Sequence, residues 1–203
     1  MKKDYINKID DKAERRNITN PVEIRSEMEG DEMPIITGYA AVFDKVTDMG
    51  WYLEKVSRGA FTNADMSDVV ALFNHDDDEI LSRTTGNADD LTISIDQNGC
   101  KYEFKAKNEC AKEVAENIRL GFIKGSSFAF RVSQESWEFD VKQPDGSTKD
   151  IRTIEAFEKI YDVSPVTWPA YSDTSVALRS KETNKPKPTK SGMEVYELIK
   201  LKK

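Results

Sequence analysis

The chain has 203 residues, 38% of them hydrophobic and 33% charged, with a net charge of −7. That length supports one core of ordinary size, so a single domain is expected between polar ends. The acidic balance argues against a nucleic-acid groove, because neutralising phosphates needs clustered Lys and Arg. No apolar run reaches transmembrane length. The first nineteen residues are charged and lack the apolar stretch of a signal peptide, so an intracellular location is expected.

Residues 1–19 read as a charged arm. Val22, Ile24 and Ser26 then alternate with charged residues, and Ile35 to Phe43 is an apolar run of strand type, so the two are expected to pair. A second short run, Ala71-Leu72-Phe73, stops at Asn74-His75-Asp76-Asp77-Asp78. His75 is the single histidine of the chain. The run places it at a strand end, where a rigid scaffold meets solvent. One histidine excludes multi-histidine metal sites, so a catalytic role for it needs a nucleophile and an acid from elsewhere. The neighbouring acids read as solvated turn residues or substrate-side charges; they lack the spacing, central Gly and terminal Glu of a calcium loop. No metal and no cofactor is expected.

Leu91, Ile93 and Ile95 alternate, Asn98-Gly99 offers a turn compatible with positive φ, and Tyr102, Phe104 and Ala106 resume the period of two, the pattern of a hairpin. Ala111, Val114, Ala115 and Ile118 form an i, i+3, i+4, i+7 stripe, and Gly121 is placed to end that helix. Phe128, Phe130 and Val132 form one face of a strand. Trp137, Phe139 and Val141 suggest another before a turn at 143–147. Cys100 and Cys110 match no zinc or redox spacing and read as reduced core or edge residues. Many strands and few helices imply a mainly β (α+β) fold, a β-barrel or sandwich decorated by helices.

Fifteen serines make mere presence uninformative. Gly125-Ser126-Ser127-Phe128-Ala129-Phe130 stands apart, because two hydroxyls open an apolar strand after a glycine-bearing turn. A serine needs a neutral imidazole to accept its proton, and His75, with an ordinary pKa of about 6.5, is the side chain suited to it. The plainer reading is that Ser126 and Ser127 cap a turn. The third member should be a confined carboxylate that orients the ring. Asp162 enters the apolar, proline-fixed stretch Val163-Ser164-Pro165-Val166, with Glu155, Glu158 and Asp173 as competitors.

Five blocks in order carry a resemblance: Gly38-Tyr39-Ala40-Ala41-Val42-Phe43-Asp44, Arg58-Gly59-Ala60-Phe61, Leu72-Phe73-Asn74-His75-Asp76, Gly125-Ser126-Ser127-Phe128-Ala129-Phe130, and the stretch from Asp162 through Trp168 to Tyr171. Over residues 20–179 the chain resembles the tailed-bacteriophage prohead protease family. The resemblance implies a serine endopeptidase related in fold to herpesvirus assemblin, with a β-barrel core surrounded by helices. It carries the family's histidine onto His75 and its nucleophile onto Ser127, while Ser126 falls where serine is not required. The family usually has Glu where this chain has Asp162, one methylene shorter. Arg83 matches a position often occupied by Arg and is a candidate for substrate or oxyanion support, beside its plainer reading as an exposed arginine.

The implied task is prohead maturation inside the immature shell, in the host cytoplasm. The implied partners are the major capsid protein, a scaffolding protein or segment, and the chain itself, through autocleavage and a homodimer; neither nucleic acid nor membrane is implied. A 180–203 tail, with a Lys/Pro linker and a short helix-prone end, offers a self-cleavage region, since proteolysis needs locally unfolded backbone. Two alternatives stay open. One is an inactive structural or scaffolding component of the prohead with the same fold. The other is an esterase using the same residues, against which the absence of Gly-x-Ser-x-Gly and of βαβ units weighs.

Overall fold

The computed structural model describes residues 12–18, 23–24, 33–86 and 91–168. Eleven strands and one α-helix are formed among these residues. A seven-stranded sheet contains β1 (Glu14–Ile18), β4 (Thr47–Asp48), β5 (Tyr52–Val56), β6 (Val70–Phe73), β7 (Asp76–Arg83), β10 (Gly125–Lys142) and β11 (Thr148–Val166). A four-stranded sheet runs in the order β2 (Glu23–Ile24), β3 (Ile35–Val42), β9 (Gly99–Lys105), β8 (Thr92–Ile95). The fold is mainly β, as expected from the alternation. The expected closed barrel with surrounding helices is not found. The two sheets meet at a parallel bridge, Phe43 with Val56, rather than along a ladder, and among the described residues one helix, α1 (Glu109–Arg119), accompanies them. No helix among the described residues is long and apolar enough to cross a membrane.

The expected local pairings form: β2 is antiparallel to β3, and β8 to β9. Gly99 is needed for a different reason from the one the turn suggested. It is absent from the positive-φ positions, but a Cβ there would lie 1.9 Å from the Ala41 carbonyl oxygen. Close backbone approach at the β3–β9 irregularity excludes a side chain. The preceding turn is closed by Asp96, whose Oδ1 accepts from the backbone N–H groups of Asn98 and Gly99. In α1 the buried residues are the four of the expected stripe. Asn108 caps the helix by accepting from the Ala111 N–H, and Gly121, at φ 76°, follows its C-cap.

Residues 125–142, expected as two strands, are one long strand. Register shifts between Ala129 and Glu135 break the alternation without ending the pairing with β11. The near half of this hairpin lies over the core and its far half projects, with alternating half-buried and exposed residues. Phe61, Phe128, Phe130 and Phe157 form the centre of the core, with Phe61–Phe157 and Phe128–Phe130 centroids 4.5 Å apart and Phe130–Phe157 edge-on at 4.9 Å. Cys100 is buried and Cys110 half-buried, and both are free thiols.

Within the stretch read as a charged arm, Glu14–Ile18 forms β1, antiparallel to β10 from Ser126 to Phe130. Its charges are buried because they meet opposite charges. Arg16 donates from Nε to Glu54 (2.5 Å) and from Nη2 to Glu14 (2.5 Å), while Arg152 donates from Nη1 and Nη2 to both Glu14 oxygens (2.7 and 2.8 Å). Arg152 also bonds Glu54 and Glu135. Burial alone would raise the Glu14 pKa, but the adjacent guanidinium groups outweigh it and hold it below the ordinary value. Asp173 and the 180–203 tail lie outside the described residues.

Candidate active site

β10 and β11 position two of the candidate side chains. Ser127 lies at the start of β10, opposite Ser164, and Ala129 lies opposite Asp162. Residues two apart on a strand share a face, as do directly paired residues, so Ser127, Asp162 and Ser164 stand on one face of the sheet. On β11 the pairing passes from Asp162 to Ile160, leaving Tyr161 as the extra residue of a bulge. That irregularity keeps Ile160 in the core while Asp162 faces the site.

The histidine arrives from a different element. β6 runs parallel to β11, with Val70 opposite Asp162, and pairs antiparallel with β7. Asn74 and His75 make the connecting turn, with φ of 53° and 58°. Two positive φ values are the requirement of a type I′ hairpin turn, and a non-glycine residue held there carries about 1–3 kcal/mol of strain. The turn is clamped to the end of β11: Asn74 N–H donates to the Pro165 carbonyl (3.1 Å), and the Asn74 carboxamide accepts from Thr167 N–H (2.9 Å). Asn74, of a residue type that tolerates positive φ better than most residues with a side chain, therefore also anchors the turn carrying the histidine.

His75 Nδ1 lies 2.6 Å from Asp162 Oδ1, and Nε2 lies 2.5 Å from Ser127 Oγ. An ionised carboxylate only accepts, so Nδ1 carries the proton towards Asp162 and Nε2 presents its lone pair to the serine hydroxyl. Ser164 Oγ donates to the same Asp162 oxygen (2.8 Å) and lies 3.3 Å from Nδ1. Asp162 Oδ2 is buried without a partner. Ser127 is fully buried, and its hydroxyl has a second acceptor within reach, the Arg16 carbonyl of β1 at 3.0 Å. Beside His75 and Asp162 opens a cleft of about 460 Å³, walled also by Leu72, Ile80, Arg83 and Tyr161.

The model of the caudovirus prohead serine protease family matches residues 20–188. The chain belongs to that family. No curated protein and no solved structure matches it. The family match spans β2 through β11 and begins after β1.

The structure brings together His75, Ser127 and Asp162 and separates them from the other candidates. Ser126 points away, donating to the Tyr102 hydroxyl at 3.0 Å. Glu155 is engaged by Gln134 and Ser136, and Glu158 by Arg131. Asp76, Asp77 and Asp78, expected as turn residues or substrate-side charges, open strand β7; Asp76 accepts from the Asp78 N–H, and Asp77 lines the cleft. Arg83 reaches the cleft wall but spends its guanidinium on Asp68, through two bonds of 2.7 Å that hold the Asp68 carboxyl down at about 2. Ser164, Asn74 and the Arg16 carbonyl were not singled out in the sequence. Ser164 was within reach, since a period of two puts it on the same face as Asp162. Asn74 and Arg16 act at the site through backbone geometry and strand pairing, which no local pattern displays.

Proposed function

We propose that this family member is an active serine endopeptidase that cleaves capsid-assembly proteins during prohead maturation. The observation that carries the reading is the continuous chain Ser127 Oγ, His75 Nε2, His75 Nδ1, Asp162 Oδ1, with links of 2.5 and 2.6 Å. His75 takes the Ser127 proton as Oγ attacks a scissile carbonyl, then returns it to the leaving amine. The resulting acyl-enzyme is hydrolysed by the reverse relay. Asp162 holds the ring in the tautomer that leaves Nε2 free and stabilises the imidazolium; Ser164 positions Asp162. Arg83, on the cleft wall, is bound to Asp68 and takes no part in proton transfer; any support of substrate would fall to its remaining N–H groups.

Asp162, one methylene shorter than the Glu usual in the family, is the feature that would suit an inactive scaffolding component. The contact at 2.6 Å supports the active reading, because the clamped β6–β7 turn brings the ring within reach of the shorter side chain. The substrates on this reading are the major capsid protein, a scaffolding protein or segment, and the chain's own 181–191 region, all inside the immature shell in the host cytoplasm. Co-expression with the major capsid protein, followed by intact mass, tests it. Truncated capsid protein or self-cut fragments are expected with the wild type and not with Ser127→Ala. Identical uncut masses in both would support the structural alternative instead.

A further inference from the structure

Ser127 has two strand neighbours, and they differ in kind. On one side β11 supplies Asp162 and Ser164, and the β6–β7 turn is anchored to its end. That side is committed to the base and the acid. On the other side β1 lies antiparallel to residues 126–130, with Asn17 opposite Ser127 and Arg16 opposite Phe128. A backbone carbonyl from β1 already sits 3.0 Å from the hydroxyl oxygen, and Ser127 has no exposed surface. With β1 in place, Ser127 offers a peptide no surface.

We propose that the edge of β10 beneath β1 is the substrate track, that a substrate segment binds there as an antiparallel strand in place of β1, and that β1 keeps the protease latent. The proposal rests on the serine-protease reading above. Strand addition to an exposed edge is a general mode of peptide recognition, in which backbone hydrogen bonds fix the register and side-chain pockets give selectivity. β1 displays how such a strand lies. It is not itself in cutting geometry, because Arg16 presents its carbonyl oxygen to the Ser127 hydroxyl, which can hydrogen-bond to it, whereas attack requires the carbonyl carbon. The hydroxyl carries one proton, so a bond to Arg16 withdraws it from His75.

Two further observations fit a cover rather than a core strand. The matched family region begins after β1. The bonds that hold β1 down on its inner side are also largely polar, through Glu14 and Arg16 to Glu54 and Arg152, with the Arg16 guanidinium 5.4 Å from the centroid of the Phe130 ring; Ala13, just before β1, packs against Ala129. Polar anchors can be exchanged for those of another strand; Phe130 would lose its Arg16 cover, while the contacts among Phe128, Phe130 and Phe157 involve no β1 residue.

A reversible lock on the full chain provides the test. Arg15 and Ala129 are directly opposed, so the double variant Arg15→Cys, Ala129→Cys can be cross-linked by oxidation and released by reductant. The readout is the rate of Ser127 phosphonylation by a fluorophosphonate, in which Oγ displaces fluoride. The oxidised form is expected to label at least about tenfold more slowly than the same protein after reduction. Glu14→Gln, which loosens β1 without touching the site, is expected to label several-fold faster than wild type. Equal rates in the oxidised and reduced forms overturn the cover and leave the protease reading standing. If the cross-link does not close, a Glu14→Gln rate no faster than wild type overturns it. No labelling in any form, Glu14→Gln and the reduced variant included, contradicts Ser127 as nucleophile and removes the basis of the proposal with it.

Discussion

Two polar clusters lie on opposite faces of the sheet within the span of β1, and they are built in opposite ways. On one face, His75, Ser127 and Asp162 are joined by single bonds, one Asp162 oxygen has no partner, and the histidine stands in a turn with positive φ. On the other, Glu14, Arg16, Glu54, Arg152 and Glu135 share many bonds, with both oxygens of Glu14 and of Glu54 engaged. On the proposed mechanism, a group that changes protonation in each cycle is served by few bonds that can be remade. Charges that only hold a strand are served by saturation, since a buried charge that loses its partner is costly. Residues in the first cluster should therefore govern rate, and residues in the second stability.

The largest effect on stability should come from Arg152→Ala, which leaves Glu14, Glu54 and Glu135 short of a partner. A loss of about 3–5 kcal/mol in urea unfolding is expected. A loss below about 1 kcal/mol would mean that the network is decorative and would erase the contrast. Ser164→Ala removes one donor from Asp162. A hydrogen bond to a charged group is worth about 1.5–3 kcal/mol, so kcat is expected to fall about ten- to a hundredfold, with a far smaller change in unfolding midpoint than in Arg152→Ala. An unchanged kcat would deny Ser164 its positioning role.

The smallest effect concerns pH. Because the Glu14 carboxyl is held below its ordinary 4.5, the stability it contributes is complete above that pH and fades as pH falls through the depressed folded value. The stability difference between wild type and Glu14→Gln should thus be constant above about pH 5 and narrow below 4.5. A difference that widens on acidification would reverse the sign and contradict the ion pairing of β1.

The same contrast explains what could be read in advance. His75 and Ser127 were legible because each sits where an apolar run meets polar residues, and Asp162 because it enters a proline-fixed apolar stretch. The α1 stripe and the β8–β9 hairpin were legible because their signals are local. β1 was not, because Glu14 and Arg16 look solvated until Glu54 and Arg152 are placed beside them, and those partners lie 38 to 138 residues away. The single long strand β10 was hidden by bulges that shift the parity of the alternation. The unclosed sheets were hidden because closure depends on which edges meet, and strand periodicity carries no information on that.

The most direct test of the account is to map the fluorophosphonate adduct to a residue after exhaustive incubation of the full chain and of His75→Ala. The account predicts one adduct, placed by fragmentation on Ser127 rather than Ser126, and absent from His75→Ala. An adduct on Ser126, or one that forms as readily without His75, would contradict it.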